Sequence, residues 1–392
     1  MRKFNISTSF LKSIWRFLAA WAIVHGSLPC IAQVRYFEPA TVLGVQVDVK
    51  PIPSTVRDSI VTDTVFQGWS EEGFPTHYYK KIRTSVCFDN KCRLLKCMLY
   101  WNITGRYLGF ELEKGEYLSK ARHKPFKRKE YTRLHAILSD PSSRLSGLSY
   151  GELAPRAKVT SGRNDVDAVT SATATNILDD VVAGAAYTTY KMWHVVYGPT
   201  QEEVRNLTLK SLSPGLILKI LDSPDPGDKI WALNHIRGYV RPTPALRERV
   251  LSFINAGQYN LAERAIHSLD STELGADTVQ TVLTAGLAED SYAVKKLIIA
   301  KLALAPGLTA KTIAGLRSVL TGTNPQLTSD VLDLFTLHHI TDATVVRDAA
   351  SLLTQQNAFV AKKAYKYLQG LTVQEQQVLQ QIQVFESKQA QK

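Results

Sequence analysis

Two patterns of apolar and polar positions divide this chain. From residue 77 to 112 they alternate with a period of two, as in strands buried on one face. Residues 78–88 and 91–101 predict the arms of an antiparallel hairpin, and Asn102-Ile-Thr-Gly105 predicts the turn into a third strand over 106–112. Upstream, residues 34–67 mix Pro39, Pro51 and Pro53 with short β-branched runs, which reads as a lead-in with one strand and an extended segment. Downstream, Leu134, Ile137 and Leu138 mark a short helix over 130–138, and the Ser-, Pro- and Gly-rich stretch 139–162 predicts irregular chain. A long helix over 173–196 follows, with Ile177, Leu178, Val181, Val182, Ala185 and Ala186 at helical spacing. Thr170 or Ser171 is placed to cap it, and Gly198-Pro199 ends it.

Beyond Pro199 the pattern becomes purely helical and repeats. Helices are expected to begin near Asp228, Tyr259, Ser291, Pro325 and Ala358, at intervals of 31, 32, 34 and 33 residues. Second helices fall between them over 245–254, 277–288, 309–320, 342–353 and 372–382. A paired-helix period of this size predicts an α-solenoid, in which each pair buries its apolar face only against its neighbours. The polar stretch 374–392, which still carries Val378, Leu379 and Ile382, suits a terminal cap.

Length and composition set the scale: 392 residues at 45% apolar content suffice for two packed domains. The net charge of +12 is uneven, because residues 77–133 hold 15 Lys/Arg against 5 Asp/Glu. Any electrostatic partner should therefore meet the first module. At the start of the chain, Arg2, Lys3, Lys12 and Arg16 precede the apolar run 17–24, with small residues up to Ala32. This is the layout of a secretory signal over 1–32, with a retained N-terminal anchor as the alternative. Export leaves Cys87, Cys92 and Cys97. A hairpin turning at Asp89-Asn90 sets Cys87 opposite Cys92, a candidate disulfide, and puts Cys97 on the other face as a buried thiol. A metal site or a redox pair is the alternative, although the spacing matches no standard zinc or iron–sulfur signature.

The segment Asp167-Ala-Val-Thr-Ser-Ala-Thr173 carries the most specific chemistry. A hydroxyl at a helix start sits where free N–H groups and the helix dipole favour an anion such as phosphate. The string reads Asp-x-x-Ser/Thr-x-Ala-Thr, and with the strands before it over 78–196 it resembles the FMN-binding domain family. In that family a flavin transferase esterifies FMN to the last threonine. The resemblance implies covalent FMN on Thr173, with Asp167, Thr170, Ser171 and Ala172 forming the recognition site. Ser171 stands where many members have glycine, and it lacks glycine's backbone freedom.

The expected fold is thus α+β: an FMN-binding-like domain over 77–199, with an antiparallel sheet and a long helix, after a lead-in over 33–76. An all-α array over 200–392, of about five to six helix pairs, follows and resembles HEAT-like repeats. The expected function is an exported flavoprotein of the periplasm or the outer face of the envelope, an electron carrier or redox subunit rather than a stand-alone enzyme. The array would dock a redox protein partner. The basic segment, where aromatic and cationic residues interleave, would meet an anionic envelope surface rather than nucleic acid. A cofactor-free envelope scaffold is the alternative. No nucleophile elbow, nucleotide loop or HExxH helix is present, and adjacent His338 and His339 point apart on a helix, forming no ligand set.

Overall fold

The computed structural model describes residues 33–42, 44–57, 63–86, 93–153, 175–288 and 291–390. Its first part is one antiparallel sheet of β1 (Arg35–Phe37), β2 (Gln46–Pro53), β3 (Thr64–Ser70), β4 (Pro75–Thr84), β5 (Leu95–Asn102) and β6 (Tyr107–Glu111). The spatial order is β1-β6-β5-β4-β3-β2, a meander from β2 to β6 with β1 closing the far edge. The lead-in therefore contributes three strands to the sheet where sequence reading expected one. Pro51 and Pro53 are tolerated because β2 is an edge strand. The β4–β5 register runs from His77 opposite Asn102 to Thr84 opposite Leu95. The hairpin tip, with Cys87 and Cys92, lies outside the described residues.

One face of the sheet is the core. Val65, Tyr78, Ile82, Leu95, Cys97, Leu99, Trp101, Tyr107 and Phe110 are buried there. Helices α1 (Arg128–Leu138) and α2 (Ala186–Val196) pack against β6 and β5. Tyr131, Leu134, Ile137 and Leu138 form the buried stripe of α1. The Trp101 indole N–H donates to the Val196 carbonyl at 2.8 Å, and the Tyr197 hydroxyl to that of Leu138 at 2.7 Å. Buried ring atoms thus bind the helix ends that cover them. Lys80 is also fully buried on this face, its ammonium donating to the Val56 carbonyl at 2.6 Å.

The long helix expected over 173–196 does not form as one piece. A short 3-10 turn spans Thr175–Asp180, and α2 starts only at Ala186. Between them Gly184 adopts φ +72°, the left-handed conformation that ends a helix, and its carbonyl accepts from the Ala121 N–H at 2.8 Å. Ile177, Val181, Val182, Ala185 and Ala186 are buried as the spacing implied, whereas Leu178 is 50% exposed.

The rest of the described chain is helical: α3 (Pro199–Lys210), α4 (Pro214–Leu221), α5 (Pro226–Asn234), α6 (Pro244–Ser252), α7 (Tyr259–Ser268), α8 (Asp277–Gly286) and α9 (Tyr292–Leu302). It continues with α10 (Ala310–Leu320), α11 (Pro325–Leu337), α12 (Ala343–Ser351), α13 (Ala358–Gln369) and α14 (Gln376–Ala390). Alternate helices stack: α5, α7, α9, α11 and α13 form one row, and α8, α10, α12 and α14 a second. The starts are written locally. Asp225, Thr243, Ser291, Thr309, Asn324, Asp342 and Asn357 each accept first-turn N–H groups, and Pro226, Pro244 and Pro325 open their helices. The final helix runs later than the expected 372–382, burying Val378 and Phe385. His338 Nε2 lies 3.1 Å from the Leu302 carbonyl, joining neighbouring turns of the row.

A buried carboxylate is among the contacts that join sheet and helices, with the Tyr78 hydroxyl 3.0 Å from Thr208 Oγ1 and Gln201 Nε2 donating to the Gly105 carbonyl at 2.8 Å. Asp228, 1% exposed in α5, accepts from Thr41 Oγ1 at 2.8 Å, Asn102 Nδ2 at 2.8 Å, Thr104 Oγ1 at 2.7 Å and Ser223 Oγ at 2.8 Å. Arg106 Nη2 completes the set at 2.9 Å. Burial pushes the Asp228 carboxyl upward, but hydrogen bonds from Arg106, Thr104 and Thr41 with the guanidinium charge outweigh it and hold the group below its ordinary value.

Candidate functional site

The motif residues Asp167, Thr170, Ser171, Ala172 and Thr173 lie outside the described residues, and the structure is informative about the chain that follows them. The 3-10 turn Thr175–Asp180 is held from two sides: Arg133 Nη2 donates to the Asp179 carbonyl, and Arg144 Nη2 pairs with Asp180 at 2.8 Å. Further along, the Thr188 hydroxyl donates to the Ser119 carbonyl at 3.3 Å, and Ala121 N–H binds the Gly184 carbonyl. These contacts bring the basic loop around His123 beside the chain downstream of the motif. His123 itself has φ 55° and an exposed side chain. One expectation has to be corrected. The described chain runs as a six-residue 3-10 turn over Thr175–Asp180 and not as the start of a long helix, so the macrodipole of a long helix over 175–196 is not available to a phosphate.

The basic loop runs into α1 with a well-defined start. Glu130 accepts from the Lys127 N–H at 2.7 Å and from the Lys120 ammonium at 2.6 Å. The Lys120 hydrogen bond is the largest cause holding the Glu130 carboxyl below its ordinary value, with the Lys127 N–H adding to it. Lys124, Lys127, Arg128, Lys129 and Arg133 are exposed, and among the described residues no carboxylate pairs with any of them. Exposed cations of this kind suit a phosphate group.

Three arrangements escaped sequence reading. Behind the sheet edge, Tyr107 Oη lies 3.0 Å from His135 Nδ1, and His135 Nε2 lies 3.1 Å from Glu38 Oε1. The tyrosine donates to one ring nitrogen, and the other donates to the carboxylate. Burial lowers the His135 pKa, with Glu38 acting in the opposite sense, so the ring is neutral at pH 7. The Ser139 hydroxyl donates to Glu38 Oε1 at 2.8 Å and to the His135 backbone carbonyl at 3.0 Å, not to the imidazole, so the ring does not activate it as a nucleophile. Second is the Asp228 junction. Third is the sheet face away from the core, where Phe37, Tyr100, Tyr79 and Phe66 form a row of rings with centroids 4.8, 5.1 and 4.8 Å apart. Arg35 lies over Phe37 at one end and Lys81 over Phe66 at the other. The period-two pattern did predict two faces; that the second would be aromatic required the register across five strands, with Gly109 of β6 between Phe37 and Tyr100.

Cys97 is a buried free thiol, opposite Ile82 in the register, and burial pushes its pKa up to about 12. Among the described residues no cluster of His, Cys, Asp and Glu could hold a metal ion. No helix among them is long and apolar enough to cross a membrane. No family model matches the chain, and no curated protein matches it at a significant level.

Proposed function

We propose that this chain is an exported flavoprotein that carries FMN as a phosphoester on Thr173 and takes part in extracytoplasmic electron transfer. The observation that carries the reading is the Asp167–Thr173 motif, in a chain that begins with the charge and apolar layout of a secretory signal. The basic loop pinned to the chain downstream of the motif adds support, since its exposed cations suit a phosphate. The bound flavin would supply the electron chemistry, and the protein would hold it and tune it. A flavin transferase is then the required modifying partner.

The helices from α5 onward are read as a HEAT-like α-solenoid that docks a redox protein. Support comes from their stacking in alternate rows and from capped starts at intervals near 33 residues. The division into a lead-in over 33–76, a flavin domain over 77–199 and an array over 200–392 belongs to the same reading. So does a Cys87–Cys92 disulfide, because the described β4–β5 rungs run in the register such a bridge needs.

Coexpression with a flavin transferase tests the proposal. The purified protein should gain the mass of FMN less one water and show flavin fluorescence after denaturation. Thr173→Ala should abolish both. An unmodified Thr173 peptide from a competent host would sink the reading and leave the cofactor-free scaffold.

A further inference from the structure

The cations of this molecule fall into two groups. On the helical rows several cations pair with carboxylates: Arg247 with Glu273, Arg249 with Asp222, Arg317 with Asp348, Arg347 with Glu375 and Lys363 with Asp333. The stretch from Lys124 to Arg133 behaves differently. It holds five exposed cations and one carboxylate, Glu130, already engaged by Lys120 and the Lys127 N–H. On α1 the buried stripe of Tyr131, Leu134, Ile137 and Leu138 turns Arg128, Lys129, Thr132, Arg133 and Ala136 to the opposite, solvent side. Cations there flank two small residues, with Lys124 and Lys127 at the helix start.

An apolar group sits beside this face. Arg133 binds the Asp179 carbonyl, which places Leu178, 50% exposed, next to the end of the basic face. The helical spacing of its neighbours pointed Leu178 toward the core; the break at Gly184 leaves it outside. A large aliphatic side chain in solvent, bordering exposed lysines and arginines on a helix, is the composition of a surface that rests on a charged bilayer. Lysine and arginine stems cover apolar surface while their heads meet phosphates. Among the described residues from 175 to 180, Asp179 is an exposed opposing charge and Asp180 is matched by Arg144.

We propose that the face formed by Lys124, Lys127, Arg128, Lys129 and Arg133, with Leu178, docks on anionic phospholipid headgroups. Charge complementarity selects the partner, and Leu178 distinguishes a lipid surface from a simple polyanion. The inference does not depend on flavin at Thr173, so a colourless protein can still bind.

The test is cosedimentation of the full chain with phosphatidylcholine vesicles, with and without one quarter phosphatidylglycerol, in parallel with binding to heparin and to single-stranded DNA. Binding should require phosphatidylglycerol and weaken with salt. The triple variant Lys124→Gln, Lys127→Gln, Lys129→Gln should weaken it about 100-fold, at roughly fivefold per cation near the surface. These three side chains have no described carboxylate partner, so an unchanged circular dichroism melt is expected to accompany the loss. Leu178→Ser should reduce vesicle binding severalfold and leave heparin binding unchanged. Equal binding to neutral vesicles would overturn the proposal. So would a triple variant that binds like the parent, or binding to heparin or DNA without binding to vesicles, which would assign the face to those polymers.

Discussion

The sheet and the helical rows are stabilised in opposite ways. In the rows, the main contacts of each helix stay within two helices along the chain, and cap, opening proline and buried stripe all lie within one helix of one another. In the sheet, the decisive contacts join distant residues: β1 to β6, Trp101 to Val196, and Thr41, Asn102 and Arg106 to Asp228. Local repetition tolerates a weak unit, because its neighbours still bury most of their surface. A sheet closed by a few long-range polar contacts has no such redundancy.

The largest test of this contrast is Asp228→Ala. It leaves Arg106, Asn102 and Thr104 without their shared acceptor, and removing one partner of a buried charged set costs about 3–5 kcal/mol. Chemical denaturation should show that loss, with exchange protection falling in both the sheet and α5. Protection lost in α5 alone would mean that the two regions are not coupled. Next comes Leu316→Ala in α10, whose fully buried side chain should cost about 2–5 kcal/mol. Hydrogen exchange should locate the damage in α8, α10 and α12 while the sheet stays protected; uniform loss would make the rows a single cooperative unit.

Smaller still is Asn357→Ala. Its side chain accepts from Phe359 N–H at 3.1 Å and Val360 N–H at 3.3 Å, so about 1 kcal/mol should be lost, with fraying confined to the start of α13. The last effect is that of pH on the first module. Burial is the leading cause lowering the pKa values of His77, His135 and His194. The unfolded chain then binds protons more readily than the folded one. The stabilisation is complete above about pH 6.5 and is lost as pH falls through the lowered folded values. Thermal melts from pH 7.5 to 5 should show the sheet softening before the helical rows, and the reverse order would count against this assignment.

The contrast also explains what could be read from the sequence. Tyr259, Pro325 and Ala358 mark helix starts where the sequence placed them, and at the last two a cap or a proline acts within a single turn. The hairpin, the turn at Gly105 and the apolar face of α1 were equally local. What escaped depended on distant partners. Lys80 reads as a surface residue until Val56 is folded over it, and β1 reads as lead-in until β6 lies beside it. Leu178 fits a helix stripe until Gly184 breaks the helix. Of the candidate site, the motif was legible only as a string. Its neighbourhood needed the link from Ala121 to Gly184, across a separation no short pattern can span.

Because β1 pairs with β6 while β2 lies at the opposite edge, the strand made first is placed last. A chain emerging from its amino end, whether from a ribosome or a translocation channel, holds residues 35–37 unpaired until Glu111 has followed. Thr41 waits longer still, for Asp228. Such delayed closure slows folding and prolongs exposure of a strand edge. The helices downstream can pack on near neighbours as they appear, whereas the first strand waits for a partner more than 70 residues further along.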